Sequence, residues 1–246
     1  MINRAIFSRW VVATVAVISA AMAMAGTLTV TSPTEGKYLG ATSTLSFNGK
    51  NASVQVTVRA VITGPVGSTT VSTTVTPAVN GEFSGSLPLN FSVTAAQGDY
   101  TIVVSATEPG NTYTPVTLNV KVDTKSPKLL EYGPAQGSFV KGNVNLFFKL
   151  LESNMKDWRV TVGGADIPNN TGTTETTISV PFDTTPFEND GPQNVSLSVK
   201  DQADNLLTFA IPLTVDRKKP VSTIQFPQAS TAIRPRTDVN VIVDIV

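Results

Sequence analysis

Along most of the chain, apolar and polar residues alternate one by one. Val54, Val56 and Val58 alternate with Gln55, Thr57 and Arg59. Val71, Thr73 and Val75 repeat the pattern, as do Tyr100, Ile102 and Val104. Leu118, Val120 and Val122 alternate with Asn119 and Lys121, and Val195, Leu197 and Val199 with polar partners. A period of two puts successive side chains on opposite faces of an extended strand, so each run predicts a strand with one dry and one wet face. Gly, Asn and Pro break the runs every eight to twelve residues, the spacing of an antiparallel sandwich. Beyond Gly26 the sequence predicts no amphipathic helix of ordinary length.

The first 25 residues follow a different rule. Arg4 and Arg9 precede an apolar stretch from Trp10 to Ala21, and Ala23-Met24-Ala25 forms a small-x-small site before Gly26. This is the pattern of a signal peptide over residues 1–25 with cleavage before Gly26. The run from Trp10 to Met24 holds 15 residues, short of the roughly 20 that cross a bilayer as a helix. No Cys follows it, which excludes a lipoprotein anchor, and no later run is long enough to span. The expected address is therefore outside the cell or in a periplasm, with no membrane span in the mature chain.

The strands recur. Val122-Asp123-Thr124-Lys125-Ser126-Pro127 matches Val215-Asp216-Arg217-Lys218-Lys219-Pro220 at an offset of 93. Pro33, Gly36, Leu39, Leu45 and Phe47 match Pro134, Gly137, Val140, Leu146 and Phe148 at 101. The first repeat thus carries about eight extra residues in its middle, expected around the Thr63–Thr76 hairpin. These matches divide the mature chain into 26–123, 124–216 and 217–246. The last segment supplies only the first two strands of a repeat, which cannot close a sandwich. It reads as the truncated start of a third domain.

Composition removes whole classes of chemistry. There is no His and no Cys, so there is no imidazole base, no thiolate nucleophile, no zinc–cysteine site and no disulfide. Lys plus Arg and Asp plus Glu number 18 each and charged residues are only 15%, which gives no basic surface for nucleic acid. An exported protein without disulfides must be held by buried apolar area and strand ladders.

A Pro-x-x-Gly near each repeat start, a penultimate strand such as Val195 to Lys200, the loop Asp201-Gln-Ala-Asp204-Asn205 and a final strand ending Val-Asp-x-x-x-Pro make a recurring set. On these residues the chain resembles tandem bacterial immunoglobulin-like domains of secreted and cell-surface proteins. The resemblance implies an all-β chain of tandem Ig-like antiparallel sandwiches after the signal peptide. It also implies a non-catalytic stalk, spacer or adhesion-type module whose partner is a protein or polysaccharide surface. The alternative it leaves is an accessory segment of a secreted polysaccharide-degrading enzyme. The family's penultimate loop usually has Asp-x-x-Gly-Asn. Here Ala203-Asp204 stands in its place, and the first repeat has Glu108-Pro109-Gly110-Asn111.

The residues that could carry chemistry gather near the first junction. Asp123…Pro127 and Asp216…Pro220 read as strand-end Asp and linker Pro, which holds the following chain extended. A second reading is calcium, which takes six to eight oxygens. In an Ig-type sandwich the loops after the second and sixth strands share one pole. That brings Glu152, Asn154 and Asp157 toward Asp201, Asp204 and Asn205, with Asp123 arriving from the preceding domain. Glu152 with Asp157, or Glu188 with Asp190, are the carboxylate pairs near enough for glycoside chemistry, but a filled two-layer sandwich offers them no cleft. Trp158 reads as a core plug. The Thr-rich runs Ser68–Thr74 and Thr171–Thr177 read as exposed strand faces.

Overall fold

In the computed structural model of the chain, residues 25–92, 94–187, 190–226, 228, 232, 238 and 240–245 are described. The expected signal peptide covers residues 1–25, of which 1–24 lie outside them. The alternating runs become strands. The first repeat forms β1 (Thr27–Ser32), β2 (Tyr38–Leu39), β3 (Thr42–Lys50), β4 (Val56–Gly64), β5 (Gly67–Val75), β6 (Phe83–Asn90), β7 (Gly98–Glu108), β8 (Asn111–Thr112) and β9 (Val116–Val122). Its two sheets are ordered β1-β3-β6 and β2-β9-β7-β4-β5, with β8 paired to β7. The second repeat forms β10 (Lys128–Gly133), β11 (Phe139–Val140), β12 (Asn143–Leu151), β13 (Met155–Val162), β14 (Ala165–Gly172), β15 (Thr177–Asp183), β16 (Gly191–Asp201) and β17 (Leu206–Val215). Its sheets, β10-β12-β15 and β11-β17-β16-β13-β14, repeat the same order. This is immunoglobulin-like topology: a first strand that switches sheets, with parallel pairing where its second half joins the last strand.

Each sandwich fills its interior from both sheets. Leu45, Phe47, Leu87 and Leu89 face Val58, Ile102, Val104 and Val120 in the first, all buried. Leu146, Phe148, Val180 and Phe182 face Val160, Leu197, Ile211 and Leu213 in the second. Fully burying each such side chain contributes about 1.5–3 kcal/mol. Trp158 is the core plug expected from its place in β13. Its ring lies over Gly172, where an added Cβ would come within 2.6 Å of it. Its Nε1 donates to Glu175 Oε2 at 3.0 Å, which holds that carboxyl below its ordinary range.

The structure corrects two details. Val54 continues the alternation in sequence but lies before β4, half-exposed, because its amide is captured by Glu108 Oε2 at 3.2 Å. The extra residues of the first repeat are spread over a longer connection before β4, 51–55 against 152–154, a longer β4–β5 hairpin, a longer connection to β6, 76–82 against 173–176, and a longer β6.

The third segment gives β18 (Ser222–Phe226) paired antiparallel with β19 (Ile242–Ile245). Its register slips between Ile224 and Phe226, as β1 and β10 slip between Val30 and Ser32 and between Leu129 and Glu131. All residues of both strands are exposed, Ile224, Phe226, Val243 and Ile245 included. Val239 lies outside the described residues.

Candidate functional site: the linker-facing pole

The pole is built from two loops and a linker. β16 ends at Asp201, which is fully buried. Its Oδ1 accepts the amides of Ala203 at 2.8 Å and Asn205 at 2.9 Å. Its Oδ2 accepts Asn205 Nδ2 at 2.8 Å. Asp204 turns the loop in the left-handed region, φ 63°, which a short polar side chain tolerates better than most. The turn aims Asn205 back at the linker, where its Nδ2 also reaches Asp123 O at 2.8 Å and Lys125 O at 3.4 Å.

The β12–β13 loop supplies the other jaw. Glu152 Oε1 accepts the Asn154 amide at 2.7 Å, and Asn154 Nδ2 donates to Asp123 Oδ2 at 3.3 Å. Asn154 Oδ1 accepts the hydroxyl of Tyr38, a residue of the first sandwich, at 3.0 Å. Gln202 N donates to Asn154 O at 2.8 Å and joins the two jaws. The first sandwich holds the linker from its own side. Asp123 N donates to Leu39 O at 3.0 Å. Gln97 Oε1 accepts Thr124 N at 2.7 Å, while its Nε2 donates to Thr124 Oγ1 at 3.0 Å. An added Cβ on Gly40 would stand 3.0 Å from Ala203 O, so the two sandwiches meet backbone to backbone here.

The charges follow this packing. Burial, with the charges of Asp123 and Asp201 behind it, holds the Glu152 carboxyl above its ordinary range. Burial also raises Asp201, the bonds from Asn205 and Ala203 offset part of this, and Asp123 adds to it. Asp204 is lowered by its bond to Lys156.

Of the five carboxylates expected at a calcium site, Asp123, Glu152 and Asp201 are near enough to feel one another's charge. Asp204 pairs with Lys156. Asp157 is exposed, because the inward-facing Trp158 beside it turns it outward. Among the described residues no three acidic side chains gather at a spacing that could hold a metal ion. Glu188 lies outside the described residues, and Asp190 is engaged by Arg217 Nε at 2.7 Å.

That last contact shows the repeat at work. Gln97 and Thr124 become Asp190 and Arg217 at an offset of 93, so a neutral clamp on one linker is an ion pair on the next. Neither Gln97 nor Tyr38 was predicted from sequence. The recurrence of Gln97-Gly98 as Asp190-Gly191 is the one signal that points to the first of them.

No family model and no curated protein matches the chain. Solved structures do. Fibronectin(III)-like modules of Clostridium thermocellum CbhA share 12% identity at a TM-score of 0.42, over 76% of this chain and 93% of theirs. A tetra-tandem repeat from the extending region of a large adhesion protein shares 18% at 0.32, over 90% and 62%. Three fibronectin domains of chicken CNTN1 share 9% at 0.38, over 72% and 62%. At these levels of superposition the fold rests on the strand topology of the chain itself. Among the described residues no helix is long and apolar enough to cross a membrane.

Proposed function

We propose that the chain is a non-catalytic, exported spacer that presents what it carries to a protein or polysaccharide surface. The observation that supports this is the clamped first junction. Asn205 binds the linker carbonyls of Asp123 and Lys125, and Asn154 links Asp123 to Tyr38 of the preceding sandwich. A linker held by side chains of both its neighbours restricts bending more than its Pro alone would. Export follows from Arg4, Arg9 and the apolar run from Trp10 to Ala21. Nuclear relaxation on the exported chain tests the spacer. The two sandwiches should share one rotational correlation time, and Asn205→Ala should separate them. Independent tumbling in the unsubstituted chain would overturn the reading.

A further inference from the structure

The last strand of the second sandwich has an open edge whose counterpart in the first sandwich is closed. β17 pairs with β16 along all of its ten residues. On its other side β11 covers only Thr214 and Val215, extended by Gly137 N donating to Pro212 O. Thr214 and Asp216 turn their amides to that side, toward Ser138 O and Val140 O. By the two-residue period of a strand, Ala210 and Thr208 do the same. From Leu206 to Ile211 no strand among the described residues pairs with this edge. In the first sandwich the chain just ahead of β1 seals the corresponding place. Gly26 bridges to Tyr113 in parallel and donates its amide to Thr112 O at 3.0 Å. In the second, Pro127 occupies the position of Gly26 and Leu206 that of Tyr113. Proline has no amide to donate, so the bridge cannot form, and Leu206 stays half-exposed where Tyr113 is buried.

The open edge borders a groove of about 1130 Å³. Leu130 and Tyr132 of β10 and Leu207 and Phe209 of β17 line it, with the Tyr132 and Phe209 ring centroids 4.8 Å apart. At the linker end stand Lys125 and Lys128, exposed and in no ion pair among the described residues. The carboxylates lining the same end are turned to other work, Asp123 accepting Lys125 N and Asn154 Nδ2, and Glu152 accepting Asn154 N.

We propose that the β17 edge docks an extended peptide segment of a partner protein, added as a strand parallel to β17 in continuation of β11. Its backbone meets the free groups of Thr208 and Ala210. Its alternate apolar side chains lie on the Tyr132–Phe209 shelf. An acidic residue near its N-terminal end faces Lys125 and Lys128.

The test uses the full exported chain and a fluorescein-labelled peptide, Asp-Glu-Val-Thr-Val-Thr-Val-Thr, read by anisotropy. The expected result is saturable binding, with slowed amide exchange at Thr208 and Ala210. Ala210→Pro removes one edge donor and leaves the β16 ladder intact, and Pro212 already stands in the same phase of the strand. It should weaken binding at least tenfold. Tyr132→Ser, which leaves the edge backbone untouched, should weaken it severalfold. Lys125→Glu combined with Lys128→Glu should weaken it and reverse its salt dependence. No saturation at millimolar peptide, or equal affinity in natively folded Ala210→Pro and Tyr132→Ser chains, would overturn the proposal. So would a dimer by light scattering that Ala210→Pro dissociates, since the occupant would then be a second copy of the chain.

Discussion

Glu108 and Asp201 hold the same place in the two sandwiches, each the last residue of the penultimate long strand and 93 residues apart. Both are buried and both collect amide donors. Glu108 accepts Ser53 N, Val54 N and Asn111 Nδ2, and Asp201 accepts Ala203 N, Asn205 N and Asn205 Nδ2. Yet they titrate in opposite directions. Burial pushes both up, but only at Glu108 do the hydrogen bonds outweigh it and bring the carboxyl below its ordinary range. Tyr113, buried beside Glu108, is pushed up to about 12 by that burial and that charge. Burial sets most of the difference, Asp201 being wholly buried, and the arriving chain adds to it. The first pole receives Gly26, whose backbone nitrogen brings no negative charge and donates to Asn111 Oδ1 at 3.0 Å. The second receives Asp123, a further carboxylate. The same asparagine-bearing loop ties down the arriving chain in both. Where that chain is an interdomain linker, the tie holds against like-charge repulsion.

The largest expected effect is Glu108→Ala. It removes the acceptor shared by the Ser53 and Val54 amides and Asn111 Nδ2, and each such bond contributes about 0.5–1.5 kcal/mol. Urea unfolding of the first sandwich should show a loss of roughly 3 kcal/mol. Asp201→Ala removes a comparable acceptor but also relieves repulsion from Asp123 and Glu152, so its loss should be smaller. Equal losses would erase the distinction between the poles.

Proton linkage sharpens the same contrast. Glu108, with its pKa lowered, contributes stability that is present above the unfolded carboxylate range, near pH 4.3, and lost as pH falls through its depressed value. Glu152, with its pKa raised, contributes stability that is present below that range and lost as pH rises through its elevated value. Glu152→Gln should therefore raise the midpoint of the second sandwich by roughly 2 °C at neutral pH and leave it unchanged near pH 4. Trp158 emission follows that unfolding. A midpoint lowered at neutral pH would reverse the sign and refute the repulsion.

The two linker clamps should part company in salt. Asp190 with Arg217 is an ion pair, Gln97 with Thr124 a neutral pair. About 0.5 M salt should speed amide exchange at Arg217 and leave Thr124 unchanged, and equal acceleration would show that charge is irrelevant to either. Calcium is expected to do least. Both oxygens of Asp123 and of Asp201 already accept amide donors. Millimolar calcium against EGTA should shift the melting midpoint by under about 1 °C, where specific binding at a hundredfold excess over Kd would add about 2.7 kcal/mol. A rise of several degrees would restore the metal reading of this pole.

The architecture was legible because period two and the 93-residue recurrence are properties of the backbone that every strand obeys. Their reach ended where a local bond competes, as at Val54, whose amide goes to Glu108 and not to a ladder. The candidate site was legible in part. Loop topology brings Asp123, Glu152 and Asp201 to one pole, and charged residues in loops stand out in a chain so poor in charge. Asp157 was placed with them by proximity in sequence, and the inward Trp158 beside it turns it away. Tyr38 and Gln97 are neutral residues in a polar sequence. Nothing in their types announces that one reaches Asn154 and the other Thr124.

The central claim is that Asn205 and its neighbours stiffen the junction, and a distance distribution across it tests this most directly. The chain has no cysteine, so spin labels can be placed uniquely by Thr74→Cys on β5 and Thr171→Cys on β14, both exposed. Double electron–electron resonance should give one narrow distribution in the otherwise unsubstituted chain. Adding Asn205→Ala and Tyr38→Phe should broaden it markedly while each sandwich stays folded. A distribution equally broad in both chains would contradict the clamp and, with it, the spacer.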